Sequence, residues 1–312
     1  VDSAPAFRDV VVIVDDRTHP DLERHPPAGD PPANLGNGLA IERLPYEEAE
    51  RVITACEGPG EEWAAPRQFS QLYSFVRRGA IEEPYFRFDA DQLIHSALQL
   101  SRLVVPNSHC TDYAVRVLEG FYPHRPGPTV APLPCAARFY AFKPATGERD
   151  WLTNDDAATL AVLLRQFLAV KHDLPERITG ALWWAEWTSR IAYLQPAYVS
   201  ATSSLESLIS TDRYGLRAQF VQRVAQLADA LEIPDVDEAA ADVFYSQRSE
   251  ITHGAPVPMQ QRSDATAALA SMLAVLRKAL RKTIEDSRFA ARFRDANTVR
   301  AEWPVTRRRQ SQ

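Results

Sequence analysis

The spacing of apolar positions changes near residue 148, and the change divides the chain into two kinds of structure. Before it, apolar residues come in short runs between proline-rich stretches. Val10-Val-Val-Ile-Val14 is a run of β-branched residues, which predicts a buried strand. Asp15 to Asn37 is rich in Pro, Asp and Gly and predicts a long loop. Gly38–Leu44 predicts a second strand, and Pro45–Cys56 a helix with acidic residues near its start. Pro66–Arg78 and Asp89–Leu100 carry apolar residues at helical spacing. Asn107 or Ser108 is placed to cap a further helix running to Gly120. Ala136–Phe142, after a Pro-rich stretch, predicts a closing strand.

Beyond Gly147 the helical period is continuous. Asn154 predicts the cap of a helix with a broad apolar face, Leu160 to Leu168, and Pro175 breaks it. A second helix carries Leu182, Trp183, Trp184, Trp187 and Ile191. Further helices are predicted over 197–210, 216–231, 237–253 and 263–286. In the last, Leu269, Met272, Leu273, Leu276, Leu280 and Ile284 mark a bundle seam. No repeat at a solenoid period is present. The predicted fold class is α+β: an N-terminal mixed α/β domain over 1–147, then an all-α domain over 148–312.

The length of 312 residues accommodates two such domains. No window is apolar enough to cross a bilayer, and no signal-peptide pattern opens the chain. The first residue is Val1 rather than Met, which leaves open an upstream segment. Cys56, Cys110 and Cys135 are few and odd in number, which suits a reducing cytoplasm better than a disulfide framework. A net charge of −6 argues against a protein dedicated to coating nucleic acid. The charge is uneven, however. Arg277 to Gln312 holds eleven Lys/Arg against four Asp/Glu, leaving −13 for the remainder. This basic C-terminal tail reads first as a solvated helix end, and second as a patch that steers RNA toward a nearby site.

The richest chemistry lies in Tyr245-Ser-Gln-Arg248-Ser-Glu-Ile-Thr-His253-Gly254. At about 100° per residue, Tyr245, Arg248, Ser249, Thr252 and His253 fall in one helical stripe about 140° wide. Val236, Ala240, Val243, Phe244 and Ile251 gather opposite. Arginine and histidine at the edges of a polar face can hold a phosphate and move a proton at neutral pH. A solvated face ending in a dipole-friendly histidine is the plainer reading of the same spacing.

Three segments in order sharpen it. Tyr198 to Ser210 contains Leu205-Glu206, Gln219 to Leu227 contains Phe220 and Arg223, and Asp242 to Gly254 contains the motif. Together, over roughly Tyr198 to Ser287, they resemble the Apea-like branch of the HEPN superfamily. The resemblance implies a helical bundle that often dimerises, and metal-independent endoribonuclease activity without a cofactor. It also implies a composite cleft in which Arg248 and His253 of two protomers meet as the catalytic pair, with RNA as substrate in a defence or stress response. Tyr245, Ser249, Thr252 and Glu206 would support the pair, Glu206 by orienting Arg248 or by pairing with Arg223. One departure is Ser249, where active members often place Asn, Asp or His. Other HEPN proteins keep the fold as a non-catalytic scaffold or binding module, here with an N-terminal domain that would sense a ligand or partner.

The remaining motifs read as structural. His109-Cys110-x-Asp112 on a helix would point its ligands apart, and no second cluster at zinc spacing exists. Asp15, Asp16, Asp21 and Asp30 sit in a proline-rich loop without a cation-binding motif. Trp183, Trp184 and Trp187 are expected to pack between helices rather than stack on bases. No Walker loop, dinucleotide fingerprint, nucleophile elbow or DNA-specific motif is present.

Overall fold

The structure is a computed structural model that describes residues 6–15, 33–57, 72–80, 89–106, 109–118, 129–132, 152–189, 191, 193–254 and 261–306. It is an α+β protein that divides into two compact units, residues 1–141 with 149–165, and 142–148 with 166–312.

The first unit is built on a six-stranded sheet. Its strands are β1 (Ala6–Asp15), β2 (Ala33–Gly36), β3 (Leu39–Leu44), β4 (Leu72–Ala80), β5 (His109–Leu118) and β6 (Thr129–Pro132), ordered β2-β3-β4-β1-β5-β6. Every pairing is antiparallel. Two helices accompany it, α1 (Tyr46–Glu57) against β5 and β6, and α2 (Asp89–Val104) against β4. The central position of β1 accounts for its continuous apolar run. Val10 and Val11 point to opposite faces of the sheet, and both are buried. Asp9, also buried, is opposite Arg116 of β5 and accepts two hydrogen bonds from it, at 2.6 and 2.9 Å. The bidentate contact holds the Arg116 guanidinium above its ordinary pKa, against the opposing effect of burial.

Three sequence expectations are corrected here. Residues 109–118 form strand β5, not a helix capped at Asn107 or Ser108. Residues 72–80 form strand β4, where a helix through Arg78 was expected; the start of that segment lies outside the described residues. Both flank β1, and pairing with a central strand outweighs the weak helical spacing of short segments. The loop expected to end at Asn37 contains β2. Asn37 and Gly38 both take positive φ, 52° and 72°, in a two-residue hairpin turn that the Asn-Gly pair favours. A Cβ on Gly38 would also run into the carbonyl of Arg78, so Gly38→Ala should destabilise the unit, measurable as a lower melting temperature. The strand expected at 136–142 lies outside the described residues.

The chain after residue 152 is helical, with no strand among the described residues. Helix α3 (Asn154–Val170) is capped one residue earlier than expected. The Thr153 hydroxyl accepts from Asp156 N–H at 3.2 Å, and the Asp156 carboxylate accepts from Thr153 N–H at 2.8 Å. The second unit then comprises α4 (Glu176–Ser189), α5 (Leu194–Ile209), α6 (Leu216–Ala230), α7 (Glu238–Thr252), α8 (Arg262–Glu285), α9 (Ser287–Ala291) and α10 (Ala296–Glu302).

Helix α5 is the centre of this bundle, packed against α4, α6, α7 and α8. Small buried residues, Ser200, Ala201 and Ser204, permit the close approach, and Ser204 donates to the Ala181 carbonyl at 2.7 Å. On α8 the expected seam is buried except for Leu273, which is half-buried. The tryptophans of α4 depart from expectation. Trp183 and Trp187 are 57% and 43% exposed, while Glu186 and Thr188 take the buried positions.

Candidate functional site

Helix α7 starts at Asp237, whose carboxylate accepts from Ala240 N–H at 2.8 Å. It stops where Gly254 takes φ +83°, the left-handed conformation that glycine adopts without a Cβ penalty. Its buried residues are Ala241 and Phe244, and Val236, just before the cap, is buried as well. Val243, expected on the apolar face, is 48% exposed. The helix is turned so that Tyr245 leans inward, its ring 5.5 Å from that of Phe220 on α6.

One turn on, Arg248 lies between two groups. The Glu206 carboxylate of α5 accepts from its guanidinium at 3.4 Å, and the guanidinium carbon sits 5.9 Å from the Tyr245 ring centre. Glu206 therefore pairs with Arg248 and not with Arg223. The contact is long, and the Arg248 side chain keeps 27% of its surface exposed. Its buried Nε has no hydrogen-bond partner among the described residues. A guanidinium offers five donors in a fixed fork, and much of this capacity is unspent.

Burial pushes the Glu206 carboxyl above its ordinary pKa, and the Arg248 charge only partly opposes this. A carboxyl that holds its proton more tightly in the native state contributes stability below its ordinary value of 4.5, and loses it as pH rises through the raised value. The stability of the wild type relative to Glu206→Gln should therefore decline as pH is raised from 4.5 toward neutrality. Chemical denaturation of both proteins across that range checks it, and a difference independent of pH would contradict it.

The other residues of the stripe diverge. The Thr252 hydroxyl donates back to the Arg248 carbonyl at 2.7 Å, which satisfies it within the helix. Ser249 is half-buried, and its carbonyl accepts from His253 N–H at 3.0 Å. His253 ends the helix as an exposed residue and forms no hydrogen bond with Arg248. Five residues on a helix separate them by about 7.5 Å along the axis. Within one chain, then, Glu206, Arg248 and Tyr245 meet, and His253 stands apart at the open end.

Arg223 turned out to have a different task. Only 2% exposed, it donates to the Ile209 carbonyl at 2.6 Å, the Trp303 carbonyl at 2.8 Å and the Thr211 hydroxyl at 2.9 Å. It thus ties the end of α5 to the C-terminal segment. Its spacing on α6 gave no signal of this, because two of the partners are backbone carbonyls.

His109, Cys110 and Asp112 lie on a strand, not on a helix. Among the described residues no group of three or more His, Cys, Asp or Glu is placed to hold a metal ion, and no helix is long and apolar enough to cross a membrane. Comparison with protein-family models, curated proteins and solved structures found no match.

Proposed function

We propose that the helical unit is a HEPN-type, metal-independent endoribonuclease, with Arg248 and His253 as its catalytic pair, acting in the cytoplasm as a defence or stress effector. The observation that carries this reading is Arg248 itself, which is oriented by a carboxylate and an aromatic ring while part of its side chain stays exposed to a ligand. Arg248 would hold the scissile phosphate and stabilise the charge that grows on it. His253 would take the proton from the ribose 2′-hydroxyl, or deliver one to the leaving 5′-oxygen. The 2′-oxygen bonds to phosphorus as the P–O5′ bond breaks, giving a 2′,3′-cyclic phosphate and a 5′-hydroxyl. Tyr245 and Glu206 fix the guanidinium, and Ser249 and Thr252 complete the polar stripe.

The separation of Arg248 from His253 within one chain favours a homodimer. A two-fold axis uses the same patch twice, so it would bring the arginine of one chain toward the histidine of its partner. Mixing inactive Arg248→Ala and His253→Ala chains should then restore activity, because one of the two composite clefts in each mixed dimer is intact. A strict monomer by sedimentation, or mixed chains that remain inactive, would refute the composite cleft.

The Glu206 contact favours a second reading. A guanidinium already neutralised by a carboxylate suits a non-catalytic scaffold, with the first unit sensing a ligand or partner. An RNA-cleavage assay in EDTA on structured and unstructured substrates separates the two.

A further inference from the structure

The C-terminal elements carry a second concentration of charge, apart from the α7 motif. Residues 277–306 hold eight Lys/Arg against four Asp/Glu. All four acids have partners of their own. Asp286 and Asp295 cap α9 and α10 by accepting backbone N–H groups, Glu285 pairs with Arg281, and Glu302 pairs with Arg292. Among the described residues, Lys282, Arg288 and Arg294 form no salt bridge.

Two cations of this segment, Lys282 and Arg292, lie over buried aromatic rings. Phe289, Phe293 and Trp303 are buried and in ring contact, with centroids 5.5 Å apart for the first pair and 6.2 Å for the second. On this aromatic floor the Lys282 ammonium lies 5.1 Å from the Phe289 ring centre. The Arg292 guanidinium lies 5.5 Å from the same centre and 5.8 Å from that of Trp303. Arg288 precedes Phe289 directly, and Arg294 follows Phe293 as an exposed residue. Lys282 and Arg292 are thus held over one aromatic cluster, and Arg288 and Arg294 are exposed residues of the same short segment. A net excess of positive charge in so short a stretch attracts a polyanion in a salt-dependent way.

We propose that Lys282, Arg288, Arg292 and Arg294 form a docking surface for the phosphodiester backbone of an RNA strand, distinct from the Arg248 and His253 site. The choice of RNA as the polyanion rests on the reading given under Proposed function. The surface recognises charge and not sequence, since ammonium and guanidinium groups meet phosphate oxygens without reading base edges.

The test is fluorescence anisotropy with the full chain and a labelled oligouridylate of about 20 nucleotides, read as affinity against salt. Methylation of its 2′-oxygens prevents cleavage. The triple variant Lys282→Glu, Arg288→Glu, Arg294→Glu should bind at least about tenfold more weakly at about 50 mM salt, and its log–log salt slope should fall by about two. Circular dichroism monitors folding, and the corresponding triple glutamine variant, expected to show a smaller loss of the same sign, serves if the glutamate variant fails to fold. Unchanged affinity and slope would overturn the proposal. So would a loss produced only by replacing Arg307, Arg308 and Arg309, or binding to phosphatidylserine vesicles but not to RNA. A wild type that binds through these residues yet never cleaves unmodified RNA would support this surface while removing the nuclease reading.

Discussion

Arg223→Ala is expected to lower the stability of the helical unit by about 3 kcal/mol, the largest effect of any single substitution considered. The side chain is almost wholly buried, and its removal takes a charged donor away from the carbonyls of Ile209 and Trp303. A neutral hydrogen bond contributes only about 1 kcal/mol net, but a buried acceptor left without a donor costs its full desolvation penalty. Burial pulls the Arg223 pKa down, although Asp212 partly opposes this, so the group is held by its hydrogen bonds in a costly environment. Arg223→Lys should recover only part of the loss, since a single ammonium cannot reach both ends of the fork. Urea denaturation measures both variants. A loss under about 1 kcal/mol for the alanine variant would show that water replaces the guanidinium.

His253→Ala is expected to reduce RNA cleavage about 1000-fold, within the range for loss of a general acid–base group. Its melting temperature should stay within about 2 °C of wild type, because His253 is exposed at a helix end and, among the described residues, its side chain makes no hydrogen bond. Arg248→Ala should lower both cleavage and RNA affinity. Arg248→Lys should restore neither fully, because lysine lacks the planar fork that grips two phosphate oxygens. Arg248→Ala should also leave the Glu206 carboxyl buried without its cation, so this variant, unlike His253→Ala, carries a stability cost at neutral pH. Initial rates, anisotropy and thermal melts on the same preparations separate the two residues. Unchanged cleavage in His253→Ala would exclude it as the proton carrier.

The bundle was legible because its boundaries are local. Pro175 precedes α4, Asp237 caps α7 and Gly254 closes it, each through its own backbone or side chain. The sheet was less legible, because β4 and β5 owe their conformation to β1, which is distant in sequence. The Asn37-Gly38 pair was a readable hairpin signal that the surrounding prolines obscured. At the candidate site, helical geometry was enough to place Tyr245 near Arg248. It could not choose between Arg248 and Arg223 for Glu206, since that depends on how α6 and α7 lie against α5. Nor could it show that Val243 and two tryptophans face outward, because apolar residues at helical spacing mark a face without saying whether it is covered.

The most direct measurement is the chemistry of the ends produced from a defined RNA incubated with the purified full chain in excess EDTA. Cleavage should proceed at the rate seen without chelator, leave a 2′,3′-cyclic phosphate on the upstream side and a 5′-hydroxyl on the downstream side of every cut, and fall to background with His253→Ala. Cleavage that requires added magnesium, products with a 5′-phosphate, or equal rates for wild type and His253→Ala would contradict the assignment of Arg248 and His253 as a metal-independent ribonuclease pair.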